Sequence, residues 1–84
     1  MYFVNWGKKA LKQLLKISDV DRGRILEEVS KLEAFPAVHN VKSLSQHQYG
    51  SRLRVGHYRV RFDVARVVRI IDVQEVKRRD DNTY

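Results

Sequence analysis

The sequence predicts a single α+β domain over residues 1–84: a small twisted, mainly antiparallel sheet of about four strands with an N-terminal helical hairpin packed on one face. Three observations predict it. Apolar residues between positions 8 and 34 recur with the period of a helix. Those between 49 and 76 recur with the period of a strand. The length of 84 residues supports one core, and no linker, internal repeat or low-complexity tract divides it.

Tyr2-Phe3-Val4-Asn5-Trp6 favours extended backbone and opens the chain as a strand that Gly7 ends. From Lys8 an amphipathic helix of about ten residues follows, with Ala10, Leu11, Leu14 and Leu15 on one stripe and Lys8, Lys9, Lys12, Gln13 and Lys16 around it. Ser18 and Asp19 offer N-cap oxygens, and Asp21 stands three residues after Ser18 in the manner of a capping box. The second helix then buries Ile25, Val29 and Leu32, with Leu26 beside them. It stops near Ala34, because Phe35 precedes Pro36 and the residue before proline avoids the helical region. Residues 36–48 read as a loop pinned by Val38, Val41 and Leu44. From Tyr49 onward Leu53, Val55, Tyr58, Val60 and Phe62 alternate with Arg52, Arg54, Arg59, Arg61 and Asp63, a hairpin with its turn at Gly56-His57. Val67 to Val76 is nearly continuous apolar, the pattern of a strand covered on both faces, after a short connection at Ala65-Arg66. The tail Lys77–Tyr84 is polar, with one short turn of helix at most.

Without cysteine there is neither a disulfide scaffold nor a thiolate metal site, and His39, His47 and His57 are scattered. No apolar run is long enough for a membrane span and no secretory leader precedes the domain, so the expected compartment is the cytoplasm. The chain carries 17 Lys plus Arg against 10 Asp plus Glu, a net charge of +7 that attracts polyanions. Its distribution is uneven. Residues 1–48 hold eight basic groups, six of them Lys, and residues 49–84 hold nine, eight of them Arg. Arginine presents a planar fork matched to phosphate, which marks the second half as the working half.

A two-residue turn at Gly56-His57 sets Arg54 opposite Arg59 and Arg52 opposite Arg61, so one hairpin face is apolar and the other carries four arginines. A three-residue turn would break this pairing. Like charges opposed across strands destabilise a sheet, and a bound phosphate relieves that repulsion. The plainer alternative is a solvated face whose arginine stems cover apolar surface. Lys77, Arg78 and Arg79 form a second basic cluster, followed by Asp80, Asp81 and Tyr84. His57 reads as a turn residue and Trp6 and Tyr58 as core aromatics. Tyr49, at a loop edge, stays open between core and base stacking.

The segments Arg52-Leu53-Arg54-Val55-Gly56-His57-Tyr58-Arg59-Val60 and Val76-Lys77-Arg78-Arg79-Asp80, with Tyr84 behind them, resemble the RelE branch of the RelE/ParE toxins of bacterial toxin–antitoxin systems. The resemblance covers the whole chain in element order, with its specificity in residues 49–84. It implies a RelE-like fold and metal-independent, cofactor-free cleavage of messenger RNA in the ribosomal decoding site. Arg52, Arg54, Arg59, Arg78 and Tyr84 match the family's catalytic positions, although the best-known members carry lysine where Arg52 and Arg54 stand. Arg61, Lys77 and Arg79 would then bind RNA. Attack of a ribose 2′-hydroxyl on the adjacent phosphate needs a base, an acid for the leaving 5′-oxygen and cations for the phosphoryl oxygens. Tyr84 serves as base only with its pKa lowered by neighbouring cations, and Arg78 as either phosphate ligand or acid. The implied partners are messenger RNA, the ribosome and a cognate antitoxin with an acidic or amphipathic helical segment. A ParE-like inhibitor of DNA gyrase without chemistry of its own and a non-catalytic RNA-binding module are the alternatives.

Overall fold

The computed structural model describes residues 1–45 and 49–79. In chain order these form β1 (Phe3–Trp6), α1 (Lys8–Leu15), α2 (Asp19–Ser30), β2 (Val41–Ser43), β3 (Ser51–Val55), β4 (Tyr58–Ala65) and β5 (Ile70–Arg78), with a 3-10 turn over Lys31–Ala34 after α2. One five-stranded sheet runs in the order β1-β5-β4-β3-β2, its β1–β5 pair parallel and the rest antiparallel. The α+β class and the mainly antiparallel sheet are as expected; the strand count is five rather than about four, because Val41–Ser43 pairs with β3 where a loop was expected. Among the described residues no helix is long and apolar enough to cross a membrane.

Both helices lie on the face formed by Leu53, Val55, Tyr58, Val60, Phe62, Ile71, Val73 and Val76, and bury Ala10, Leu14, Ile25 and Val29 against it. Phe35 meets Tyr2 and Phe62 edge to face at 5.6 and 6.4 Å between ring centres, closing the end of the core after α2. The apolar stripe of α1 is narrower than its sequence pattern, since Leu11 and Leu15 are exposed. Ser18 takes the N-cap position of α2 without a side-chain cap bond, and the Asp21 carboxylate instead accepts the Tyr58 hydroxyl at 3.4 Å. The expected capping box is therefore replaced by a bond from α2 to the sheet.

Two glycines are required by geometry. Gly7 donates its N–H to the Val73 carbonyl at 2.8 Å, and a Cβ on it would lie 2.9 Å from the same oxygen. Gly56 has φ +56° at the first position of the two-residue β3–β4 turn, where a side chain is disfavoured. The β4–β5 connection is the turn Arg66–Arg69, forced by the pairing of Ala65 with Ile70. It leaves Val67 and Val68 exposed in that turn rather than in the last strand.

Candidate functional site

Strand register converts the arginines into rows across the sheet face opposite the helices. Arg52 stands between Lys42 of β2 and Arg61 of β4, and Arg61 in turn faces Glu75 of β5. Two residues nearer the turn, Arg54, Arg59 and Lys77 form a second row. The expected pairs Arg52–Arg61 and Arg54–Arg59 are both present. Arg52 is the most crowded member: burial, then the charges of Arg54, Arg59, Arg79 and Arg61, hold its guanidinium below its ordinary pKa. It stays cationic nonetheless, because arginine starts so far above neutrality. Its Nε is buried with no hydrogen-bond partner.

The β4–β5 end of the face is different. An irregularity between Arg61 and Phe62 inserts one extra residue in β5, so Val73 and Val76 both face the core while Glu75 turns to the arginine side. Glu75 is 5% exposed and accepts from Arg61 Nη1 at 2.8 Å and Lys9 Nζ at 3.1 Å, with Lys77 Nζ 3.8 Å away. Burial pushes its carboxyl up, but the hydrogen bonds from Lys9 and Arg61 and the charge of Lys77 more than reverse this, leaving it below the usual carboxylate value. Lys9 is held above its ordinary value, first by its hydrogen bond to Glu75 and in smaller part by Tyr49. α1 reaches this place because it runs along β5 beyond the end of β1, where Gln13 Oε1 accepts the Val76 N–H at 2.8 Å. Sequence reasoning passed over Glu75. The available signal was a second carboxylate, after Asp72, within the largely apolar run of β5.

The tail cluster is split by the same alternation. Arg79 joins the arginine face: its N–H and Nη1 donate to the carbonyls of His57 and Gly56, and its own carbonyl accepts from Arg59 Nη2 at 3.3 Å. Arg78 pairs with Tyr58 and lies on the helix side, its guanidinium 5.8 Å above the Tyr58 ring. There it lines an open cleft of about 610 Å³ with Lys16, Asp21 and Lys77. Tyr84 and His47 lie outside the described residues. His57 is exposed in the turn, Tyr58 belongs to the core, and Trp6 packs half-buried against it.

Further along β4 and β5 the same face turns acidic. Asp63 faces Asp72, accepting the Gly50 N–H at 2.7 Å, and Asp72 accepts the Asn5 side-chain amide at 2.9 Å. A polyanion is thus attracted to the end of the face near Gly56 and repelled from the other. Among the described residues no three His, Cys, Asp or Glu side chains gather as metal ligands would. What the basic end offers is several fixed cations within reach of one phosphate and its neighbours, the means to stabilise charge on phosphoryl oxygens.

No protein-family model matches the sequence, and a comparison with curated proteins finds no match. Solved structures do match. The chain is 28% identical to a chain of the archaeal RelE–RelB complex from Pyrococcus horikoshii, with a TM-score of 0.79 over 93% of this chain and 94% of that one. A RelBE toxin–antitoxin complex from Mycobacterium tuberculosis matches at 21% identity and TM-score 0.81 over 93% and 98% of the two chains. The isolated RelE toxin of Escherichia coli matches at 18% identity and TM-score 0.78 over 93% and 84%. The match extends over nearly the whole of the chain, which is RelE-like, structurally similar to the toxins of toxin–antitoxin systems.

Proposed function

We propose that the protein is the toxin of a toxin–antitoxin pair, a ribosome-dependent endoribonuclease that cleaves messenger RNA in the cytoplasm. The observation that carries this reading is the convergence of Arg52, Arg54, Arg59 and Arg79 on one sheet face, with Arg52 held below its ordinary pKa by burial and then by the charge of its neighbours. A face so arranged is stabilised when an anion joins it. In the proposed reaction the ribose 2′-oxygen forms a bond to phosphorus as the bond from phosphorus to the 5′-oxygen breaks; a base takes the 2′-hydroxyl proton and an acid protonates the departing 5′-oxygen. Arg52, Arg54 and Arg59 stabilise the charge that gathers on the phosphoryl oxygens. Lys77 and Arg79 hold flanking phosphates, as do the Arg61 donors that Glu75 leaves available. Arg78 and Tyr84 are assigned to proton transfer, with the RNA passing round the end of β5 to meet Arg78. The cognate antitoxin, by analogy with the RelE–RelB complexes, silences this surface with an acidic or amphipathic helical segment.

Primer extension on a message in a purified translation reaction tests the proposal. New ends inside the coding region, lost with Arg52→Ala, are the expected result. Full-length message in a reaction that the protein nevertheless arrests would overturn it.

A further inference from the structure

We propose that Lys42, Arg52 and Arg54 form a seat for one backbone phosphate of single-stranded RNA at the β2–β3 edge of the sheet, with Lys42 in direct contact with it. The identity of the ligand rests on the ribonuclease reading; the seat itself rests on geometry. β2 brings Lys42 beside Arg52, and the Arg54 N–H donates to the Asn40 carbonyl at 3.0 Å, closing the start of β2 onto β3. Asn40 makes that closure by adopting φ +63°, a left-handed conformation that asparagine tolerates better than most residues. The result is a small pocket of about 170 Å³ lined by Asn40, Val41, Lys42, Arg52 and Arg54.

Its charge is uncompensated. Glu75 takes up Lys9, Arg61 and Lys77 at the other end of the face, whereas among the described residues no carboxylate forms an ion pair with Lys42, Arg52 or Arg54. Arg52 adds a buried Nε without a hydrogen-bond partner. An oxyanion in this pocket gains charge-assisted hydrogen bonds from two planar guanidinium groups and an ammonium, and offsets both the burial and the like charges that disfavour the Arg52 cation. The spacing favours nucleic acid over an acidic protein segment. Arg52 and Arg54 come from the two basic rows, roughly 6.6 Å apart along the strands, and close on one phosphate between them, which leaves Arg59 and Lys77 of the second row for the next phosphate of an extended strand. The acidic end at Asp63 and Asp72 keeps such a strand on those rows.

The test measures binding of a fluorescein-labelled oligouridylate to the full chain as salt is raised from about 50 to 200 mM. Lys42→Gln should weaken binding severalfold and lower the slope of log K against log salt by about 0.7, the loss of one single-strand phosphate contact. Lys42→Arg should restore the slope, and Lys12→Gln, on α1, should leave it as in the wild type. Melting curves should be the same for all, since Lys42 is exposed. An unchanged slope for Lys42→Gln overturns the seat, even where ribosome-dependent cleavage is found. The expected slope change in a protein that leaves translated messages intact keeps the seat and removes the ribonuclease reading. Labelled polyglutamate whose binding falls with Lys42→Gln while the RNA slope stays constant gives the surface to an acidic protein and overturns the proposal.

Discussion

Arg54 and Arg61 sit on adjacent strands and the same face, yet substitution should affect them in opposite ways. Arg54 is exposed and forms no ion pair among the described residues, so Arg54→Gln should leave stability unchanged or slightly higher as like-charge repulsion falls, while lowering the RNA salt slope by about 0.7. The Arg61 side chain is 17% exposed and bonded to a carboxylate that is itself buried. Arg61→Gln withdraws the shorter of its two hydrogen bonds and should cost about 2 kcal/mol, less than a fully stranded charge because Lys9 remains. Urea denaturation of the two variants separates them, and equal losses would mean that Arg54 acts through its packed stem rather than its charge. The pH dependence follows from the sign of the Glu75 shift. Its folded value lies below the usual 4.5, so its contribution is fully present above that pH and is lost as pH falls through the lower folded value. The stability gap between wild type and Glu75→Gln should therefore be constant near neutrality and close on acidification below about 4.5. For catalysis, Arg78→Ala and Tyr84→Phe should each slow cleavage by roughly 10² to 10⁴ with ribosome binding retained. Binding that falls in parallel with rate would make them anchors instead.

The helices and the central hairpin were legible because their signals are local. The stripe of Ile25 and Val29 on α2, continued by Leu32 in the 3-10 turn, is buried as read, and Gly56 at the turn sets the β3–β4 register that places the arginines on one face. β2 was not legible: it is a three-residue edge strand with one half-buried side chain, held by pairing to residues about ten positions away that its own composition does not announce. Glu75 was hidden by the bulge, which shifts the period of two just where it would have revealed an acidic residue on the basic face. Val67 and Val68 misled for the converse reason, being apolar but placed by register in a turn. Two glycines test how far local rules govern these elements. Gly23 lies within α2, and a methyl group added there would meet nothing within 4 Å, so Gly23→Ala should stabilise by about 0.5–1 kcal/mol through helix propensity. Gly56→Ala puts a side chain at φ +56° and should cost about 1 kcal/mol. Thermal melts showing the same sign for both would mean that packing, not backbone preference, sets these positions.

Across the whole molecule the sheet face is polarised, basic from Lys42 to Arg79 and acidic at Asp63 and Asp72, on a chain of net charge +7. That arrangement grips a phosphodiester and orients it, but arginines remain protonated and do not take a proton from a 2′-hydroxyl. Nor does an open sheet face bend the sugar and phosphate into line for attack, an alignment worth several kcal/mol in oriented reactions. A ribosome that holds the message in a fixed path supplies that alignment from outside. We therefore expect little cleavage of free RNA, strong cleavage of messages on translating ribosomes, and products ending in a 2′,3′-cyclic or 3′-phosphate in buffer without added metal. Expression in cells, with protein synthesis, message integrity and DNA breaks followed together, brings the reading to a decision. Broken messages ahead of any DNA damage are the expected order; early DNA breaks with messages intact would replace the ribonuclease by a gyrase inhibitor acting through the same basic face.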